Sequence, residues 1–160
     1  MASSEKNLSD LNLSNSVDIS KFKFGIVVAE WNEQVTESLY SGAYQTLVNA
    51  GATRENIQRM NVPGTFELSL GGQWMAEKEE LDAVICLGCV IQGETRHFDF
   101  ICDAVANGIT NVNLKYNKPV IFGVLTTDNM KQALDRAGGK HGNKGDEAAA
   151  TAIKMLAVRG

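Results

Sequence analysis

Residues Ala83 to Ile91, AVICLGCVI, form an unbroken apolar run of nine. That is about half of the roughly 18–20 residues needed to span a bilayer, and it lacks the alternation of a strand with one wet face. A strand that is apolar at every position has both faces covered, the situation of a parallel sheet flanked by helices. Phe24 to Ala29 (FGIVVA) repeats the pattern, Val120 to Thr126 follows it behind Pro119, and Ile57 to Val62 is a weaker version ended by Pro63-Gly64.

Helical stripes separate these runs. Val35, Leu39, Ala43 and Leu47 recur every fourth residue, with Tyr40, Tyr44 and Val48 beside them and Gly51 as the stop. A helix over about 66–78 carries Leu68, Leu70 and Trp74 as its expected apolar positions. Phe98, Ile101, Cys102, Val105, Ile109 and Val112 give the clearest stripe in the chain. Two more helices, about Asn129–Ala137 and Asp146–Val158, are joined by GGKHGNKG. Right-handed crossovers leave few arrangements for the order βαβαβαβαα. The expected fold is α/β, a three-layer flavodoxin-like architecture with a four-stranded parallel sheet and helices on both faces. Ligands of such folds bind beyond the carboxyl ends of the strands, which directs attention to Glu30–Trp31, Pro63–Glu67, Gln92–His97 and the segment after Thr126.

With 160 residues the chain is the length of one domain. Residues 1–20 hold six serines and three asparagines with no sustained apolar stripe, and neither a signal peptide's apolar core nor a transit peptide's arginines. They are expected to be a flexible N-terminal tail before a domain at 21–160, the alternative being an edge strand added to a neighbouring subunit. A net charge of −4 argues against nucleic acid, which needs a concentrated basic surface, and no run suits a membrane. Three cysteines are too few for a disulfide framework and fit a reducing, cytoplasmic setting.

No G-x-G-x-x-G, G-x-x-x-x-G-K-[ST] or G-x-S-x-G occurs, so dinucleotide, P-loop and serine-hydrolase chemistry lack their signatures. Cys86 and Cys89 resemble a metal-binding pair, but three residues apart on a strand they face opposite sides and cannot share an ion. Both are expected as buried thiols. The segment Gln92-Gly93-Glu94-Thr95-Arg96-His97 joins the central strand to the best helix. Amides at that helix start can hold an anion, Thr95 adds a hydroxyl, and His97 can move protons near neutral pH. The ordinary alternative makes Thr95 a cap and His97 a first-turn surface residue. Trp31 is either a rim residue or a stacking platform for a flat heterocycle. Glu67 is either a carboxylate favoured by the helix dipole or an acceptor for ligand hydroxyls, and Arg136 is by default a solvated helix charge.

Five segments together are more specific: VVAEWN at 27–32, VPGTFEL at 62–68, GCVIQGETRHFDFI at 88–101, VIFGVLTTDN at 120–129 and RAGGKHGNKGDEAA at 136–149. In register from Lys21 onward, they resemble the lumazine synthase family of riboflavin biosynthesis. The resemblance implies a transferase that condenses 5-amino-6-(D-ribitylamino)uracil with 3,4-dihydroxy-2-butanone 4-phosphate, with no cofactor and no metal. It implies that Trp31 stacks on the pyrimidine, that Thr65, Phe66 and Glu67 meet the pyrimidine and ribityl chain, and that Cys89, Val90 and Ile91 meet the pyrimidine edge. Phe122 would line the same pocket. Glu94, Thr95 and Arg136 would bind phosphate, with Lys144 a weaker candidate, and His97 would transfer protons. Trp31 stands where many members carry phenylalanine, and Arg96 receives no role. The resemblance further implies a homo-oligomer, a pentamer in which the adjacent subunit supplies Phe122 and Arg136. The short GGKHGNKG linker resembles members whose pentamers form an icosahedral capsid of sixty subunits, and association with riboflavin synthase is a further expectation. A non-catalytic flavin-binding or shell-forming protein on the same fold is the competing reading. It would not need His97, Arg136 and Trp31 together.

Overall fold

The computed structural model describes residues 7–11, 13 and 17–159. Its sheet contains β1 (Phe24–Ala29), β2 (Ile57–Val62), β3 (Ala83–Ile91) and β4 (Val120–Thr127), all parallel, in the order β2-β1-β3-β4. Helices α1 (Glu33–Asn49), α2 (Leu68–Ala76), α3 (His97–Tyr116), α4 (Met130–Asp135) and α5 (Lys144–Arg159) surround it. The central strands divide their own side chains between two cores. Phe24, Ile26, Val28, Ala83, Ile85, Leu87 and Cys89 pack with α1 and α5, whereas Val27, Ala29, Val84 and Cys86 pack with α2 and α3. This is the three-layer arrangement expected from strands apolar at every position. Among the described residues, no helix is long and apolar enough to cross a membrane.

Helix α1 buries Val35, Leu39, Ala43 and Leu47 completely, as its spacing predicts. Helix α2 differs from expectation. Leu70 and Trp74 are each 50% exposed, and the buried face is Leu68, Gly71, Gly72, Met75 and Ala76. The glycines let the helix backbone lie directly on the sheet: a Cβ on Gly71 would stand 2.7 Å from Val62 Cγ1 and 2.9 Å from Val27 Cγ1. In an open helix Gly→Ala is favourable by about 1 kcal/mol. Here both clashing methyls belong to buried, β-branched side chains with little rotamer freedom. Gly71→Ala is therefore expected to destabilise the fold by about 1–3 kcal/mol, the usual range for overpacking. The urea midpoint should fall, and an unchanged or higher midpoint would refute the close-packing account.

The carboxyl-terminal third also departs from the expected boundaries. α4 begins at an Asn129 cap, whose Oδ1 accepts from Gln132 N at 2.9 Å, and ends at Asp135 rather than Ala137. The chain then leaves the helix to form a small antiparallel hairpin, β5 (Ala137–Gly139) with β6 (Gly142–Asn143), within the segment expected as a linker. Asn143 Oδ1 accepts from Gly145 N at 2.8 Å, so α5 starts at Lys144 instead of Asp146. Of the expected tail, residues 1–6, 12 and 14–16 lie outside the described residues. The described ones touch the domain: Ile19 is in the core beside Phe24 and Ala83, and Leu8 is buried with its amide donating to the His141 carbonyl at 2.8 Å.

Candidate active site

β1 and β3 are neighbours, but their crossovers run to opposite sides of the sheet, and their pairing ends at Val28–Leu87. Beyond that point the strands part and open a crevice at the carboxyl edge, the usual ligand position in a doubly wound sheet. The parting frees the Cys89 carbonyl on its β1 side, and two side chains satisfy it. Asn32 Nδ2 donates to it at 2.9 Å and Thr65 Oγ1 at 3.3 Å. Asn32 reaches it from a left-handed backbone (φ 63°, ψ 44°), a conformation that asparagine tolerates better than most residues. Glu30 N donates to Val62 O at 2.8 Å and Trp31 N to Pro63 O at 3.1 Å, which ties the turns after β1 and β2 together.

The resulting cleft has a volume of about 610 Å³, within the range of small-molecule sites. Its walls are Trp31, Phe66, Val90, Ile91 and Ile101, with Asn32, Thr65, Glu67 and His97 as the polar groups. Trp31 is 73% exposed, so its indole offers a flat apolar face to the opening rather than packing into the core. His97 is the first residue of α3, and Ile101, one turn later, follows it on the same side of the helix. Cys89 lies at the base, where burial pushes its thiol up to about 11. Cys86, on the other face of the strand, is pushed up to about 12 by complete burial. Both stay protonated at neutral pH, so neither supplies a thiolate nucleophile. Among the described residues, no three His, Cys, Asp or Glu side chains gather in a metal-binding group.

Glu94 and Thr95 sit beside this cleft, on the exposed turn between β3 and α3. No side chain caps α3 at Arg96, and the contact from His97 N to Thr95 Oγ1 is long at 3.4 Å. The amides of His97 and Phe98, which open a twenty-residue helix beside the cleft, thus have little internal competition, whereas Asp99 N donates to the Arg96 carbonyl at 3.1 Å. Arg96 points to Asp99 at 3.3 Å in an exposed pair.

Three expected site residues lie elsewhere in the same chain. Phe122 and Lys144 line a second concavity of about 440 Å³, on the free edge of β4 and along α5, with Asn113, Glu147 and Met155. Arg136 caps the end of α4, half-buried, with Nη1 donating to the Gln132 carbonyl at 3.1 Å. Lys144 N donates to the Arg136 carbonyl at 2.8 Å, so the two residues are backbone neighbours, and Lys144 Nζ is paired with Glu147 Oε2 at 3.0 Å. The expected set is therefore divided: Trp31, Thr65, Phe66, Glu67, Cys89, Val90, Ile91 and His97 share the cleft, while Phe122, Arg136 and Lys144 do not reach it. Gly64, within the flagged Pro63–Glu67 segment, also lines the cleft, as do Asn32 and Ile101, to which the sequence reading gave no site role. The available signals were an asparagine immediately before the first helix and an apolar residue four positions beyond His97.

Residues 21–159 match the family model described as 6,7-dimethyl-8-ribityllumazine synthase. A protein of that name from Cytophaga hutchinsonii is 69% identical over 157 residues, 98% of each chain. One from Parabacteroides distasonis is 55% identical, again across 98% of each chain. One from Flavobacterium johnsoniae is 51% identical over 99% of this chain and 84% of its own.

Proposed function

The chain belongs to the 6,7-dimethyl-8-ribityllumazine synthase family, and from that premise we propose how its side chains divide the work of the reaction. It condenses 5-amino-6-(D-ribitylamino)uracil with 3,4-dihydroxy-2-butanone 4-phosphate, releasing phosphate and water and forming 6,7-dimethyl-8-ribityllumazine, a transferase step of riboflavin biosynthesis. An amine adds to a ketone, phosphate is eliminated and a ring closes. The protein must therefore align two substrates, hold a dianion and move protons.

The observation that carries the assignment of roles is the meeting of Trp31, Glu67 and His97 in one cleft at the switch between β1 and β3. Trp31 stacks on the pyrimidine, and the Cys89–Ile91 backbone and Thr65 meet its edge. Phe66 covers the pyrimidine and ribityl chain, and Glu67 accepts from ribityl hydroxyls. The turn at Glu94 and Thr95, with the uncapped start of α3, receives the phosphate, and His97 gives and takes protons beside it. Phe122, Arg136 and Lys144 complete the site from an adjacent copy, Phe122 on the pyrimidine and the two cations on the phosphate. Their placement on the β4 edge and α4–α5 side, away from their own chain's cleft, supports this reading. So do the exposed apolar side chains of α2 and α3, Leu70, Trp74, Phe100 and Leu114, which a neighbouring copy would cover. The assembly is a pentamer, extended to a sixty-subunit shell that associates with riboflavin synthase; these last steps rest on the sequence resemblance alone. Free, high-pKa thiols support a reducing, cytoplasmic setting.

Mixing the purified protein with both substrates should make lumazine absorbance appear with saturation in each. A rate no higher than that of the substrates alone would overturn the catalytic reading.

A further inference from the structure

Hairpin β5–β6 is too small to hold itself together: three residues face two, far below what an isolated hairpin needs in water. Yet its base is where Arg136 and Lys144 leave the backbone. Asn143, 9% exposed, fixes that base from three directions. Its Nδ2 donates to the Ser38 carbonyl of α1 at 2.9 Å, and its Oδ1 accepts from Gly145 N at the start of α5 at 2.8 Å. Its own amide, directed away from β5, donates to Ser9 Oγ at 2.9 Å. The amino-terminal residues close the arrangement from outside. Leu8 N donates to the His141 carbonyl at 2.8 Å, and Ser9 N is held by Asn7 Oδ1 at 2.8 Å. Gly142 (φ +81°) admits this close approach, because a Cβ there would overlap Asn7 Oδ1 and stand 2.9 Å from Leu8 N.

We infer that Ser9 and Asn143 are positioning residues for the phosphate half of the site, with Asn7–Ser9 acting as a strap across the hairpin that sets Arg136 and Lys144 without touching substrate. The inference rests on the reading that those two cations bind the phosphate of the butanone substrate. A segment whose composition reads as a flexible tail thereby gains a consequence for substrate binding. The amide of Asn143 has no strand partner on its outer side, so losing the Ser9 hydroxyl leaves a half-buried donor unpaired. The hairpin base then loosens, and the loosening reaches Arg136 through the Lys144 N–Arg136 O bond.

The test uses the full chain with Ser9→Ala, Ser9→Thr, Arg136→Ala and the Ser9→Ala/Arg136→Ala double variant. Ser9→Ala should raise KM for the butanone phosphate about three- to tenfold, the span of one hydrogen bond's net contribution. The KM for the pyrimidine should not move, and Ser9→Thr, which keeps the hydroxyl, should restore the wild-type value. In the Arg136→Ala background Ser9→Ala should add little, since coupled residues are not additive. Asn143→Ala should act in the same direction and more strongly; where it fails to fold, the Ser9 pair carries the test. Unchanged constants in Ser9→Ala, or equal rises for both substrates, overturn the strap while leaving the phosphate reading intact if Arg136→Ala raises the phosphate KM. An Arg136→Ala variant with an unchanged phosphate KM overturns the phosphate reading itself, and the strap with it.

Discussion

Replacing Arg136 by alanine should raise KM for the butanone phosphate roughly ten- to a hundredfold and leave that for the pyrimidine nearly unchanged. The guanidinium is always charged and presents five N–H donors in a fixed fork. Among the described residues only Nη1 is engaged, by the Gln132 carbonyl in α4. A carbonyl aims the group without neutralising it, and the carboxylate of its chain neighbour Asp135 is paired with Lys131 at 2.9 Å. Charge-assisted hydrogen bonds contribute about 1.5–3 kcal/mol each, which corresponds to the stated range in affinity. Arg136→Lys should fall between wild type and alanine, since it keeps the charge but loses the planar fork. Initial rates with each substrate varied in turn give the two constants. Parallel rises in both would place Arg136 in assembly rather than in phosphate binding.

The sheet was legible because its central strands β1 and β3 are apolar at every position, the pattern of a parallel sheet covered on both faces. β1, β2 and β3 begin and end where the apolar runs do, and β4 extends one residue further to Thr127. The face of α2 was misjudged for a physical reason. Hydrophobicity marks Leu70 and Trp74 as core, but Gly71 and Gly72 bring the helix so close to the sheet that those large side chains are turned outward. Hairpin β5–β6 gave no periodic signal, because strands of three and two residues are too short to repeat a pattern. It exists through contacts far apart in sequence, from Ser38 and Ser9 to Asn143.

The cleft was legible in outline because three strand ends in a known sheet order must converge at the switch between β1 and β3. The turns after β1, β2 and β3 then bring Trp31, Thr65–Glu67 and Cys89–Ile91 to one place, and His97 follows at the next helix start. Asn32 was missed because its role depends on a left-handed backbone and on a carbonyl, that of Cys89, which is free only because the strands part there. Phe122 and Arg136 were named from family resemblance and not from any local pattern. A single chain gives a physical reason for that: neither side chain faces its own cleft.

His97→Ala should lower kcat by about a hundredfold, with KM for both substrates changing little. A positioned acid–base group typically contributes about 10²–10⁴-fold. The low end applies here because amine and ketone condense without assistance, so that alignment by the cleft carries much of the rate. The imidazole is well placed for a shuttling role: it is exposed at the mouth of the cleft, beside the uncapped start of α3, and no side-chain hydrogen bond of the protein occupies it among the described residues. An exposed helix-start residue adds little to folding, so the thermal midpoint of the variant should stay close to that of the wild type. That separates a lost proton carrier from a damaged fold. Added imidazole should recover part of the missing rate in His97→Ala by entering the vacated space, and should do nothing for Arg136→Ala. Turnover at the wild-type level in His97→Ala would remove the residue from the mechanism, and the protons would then have to move through water alone.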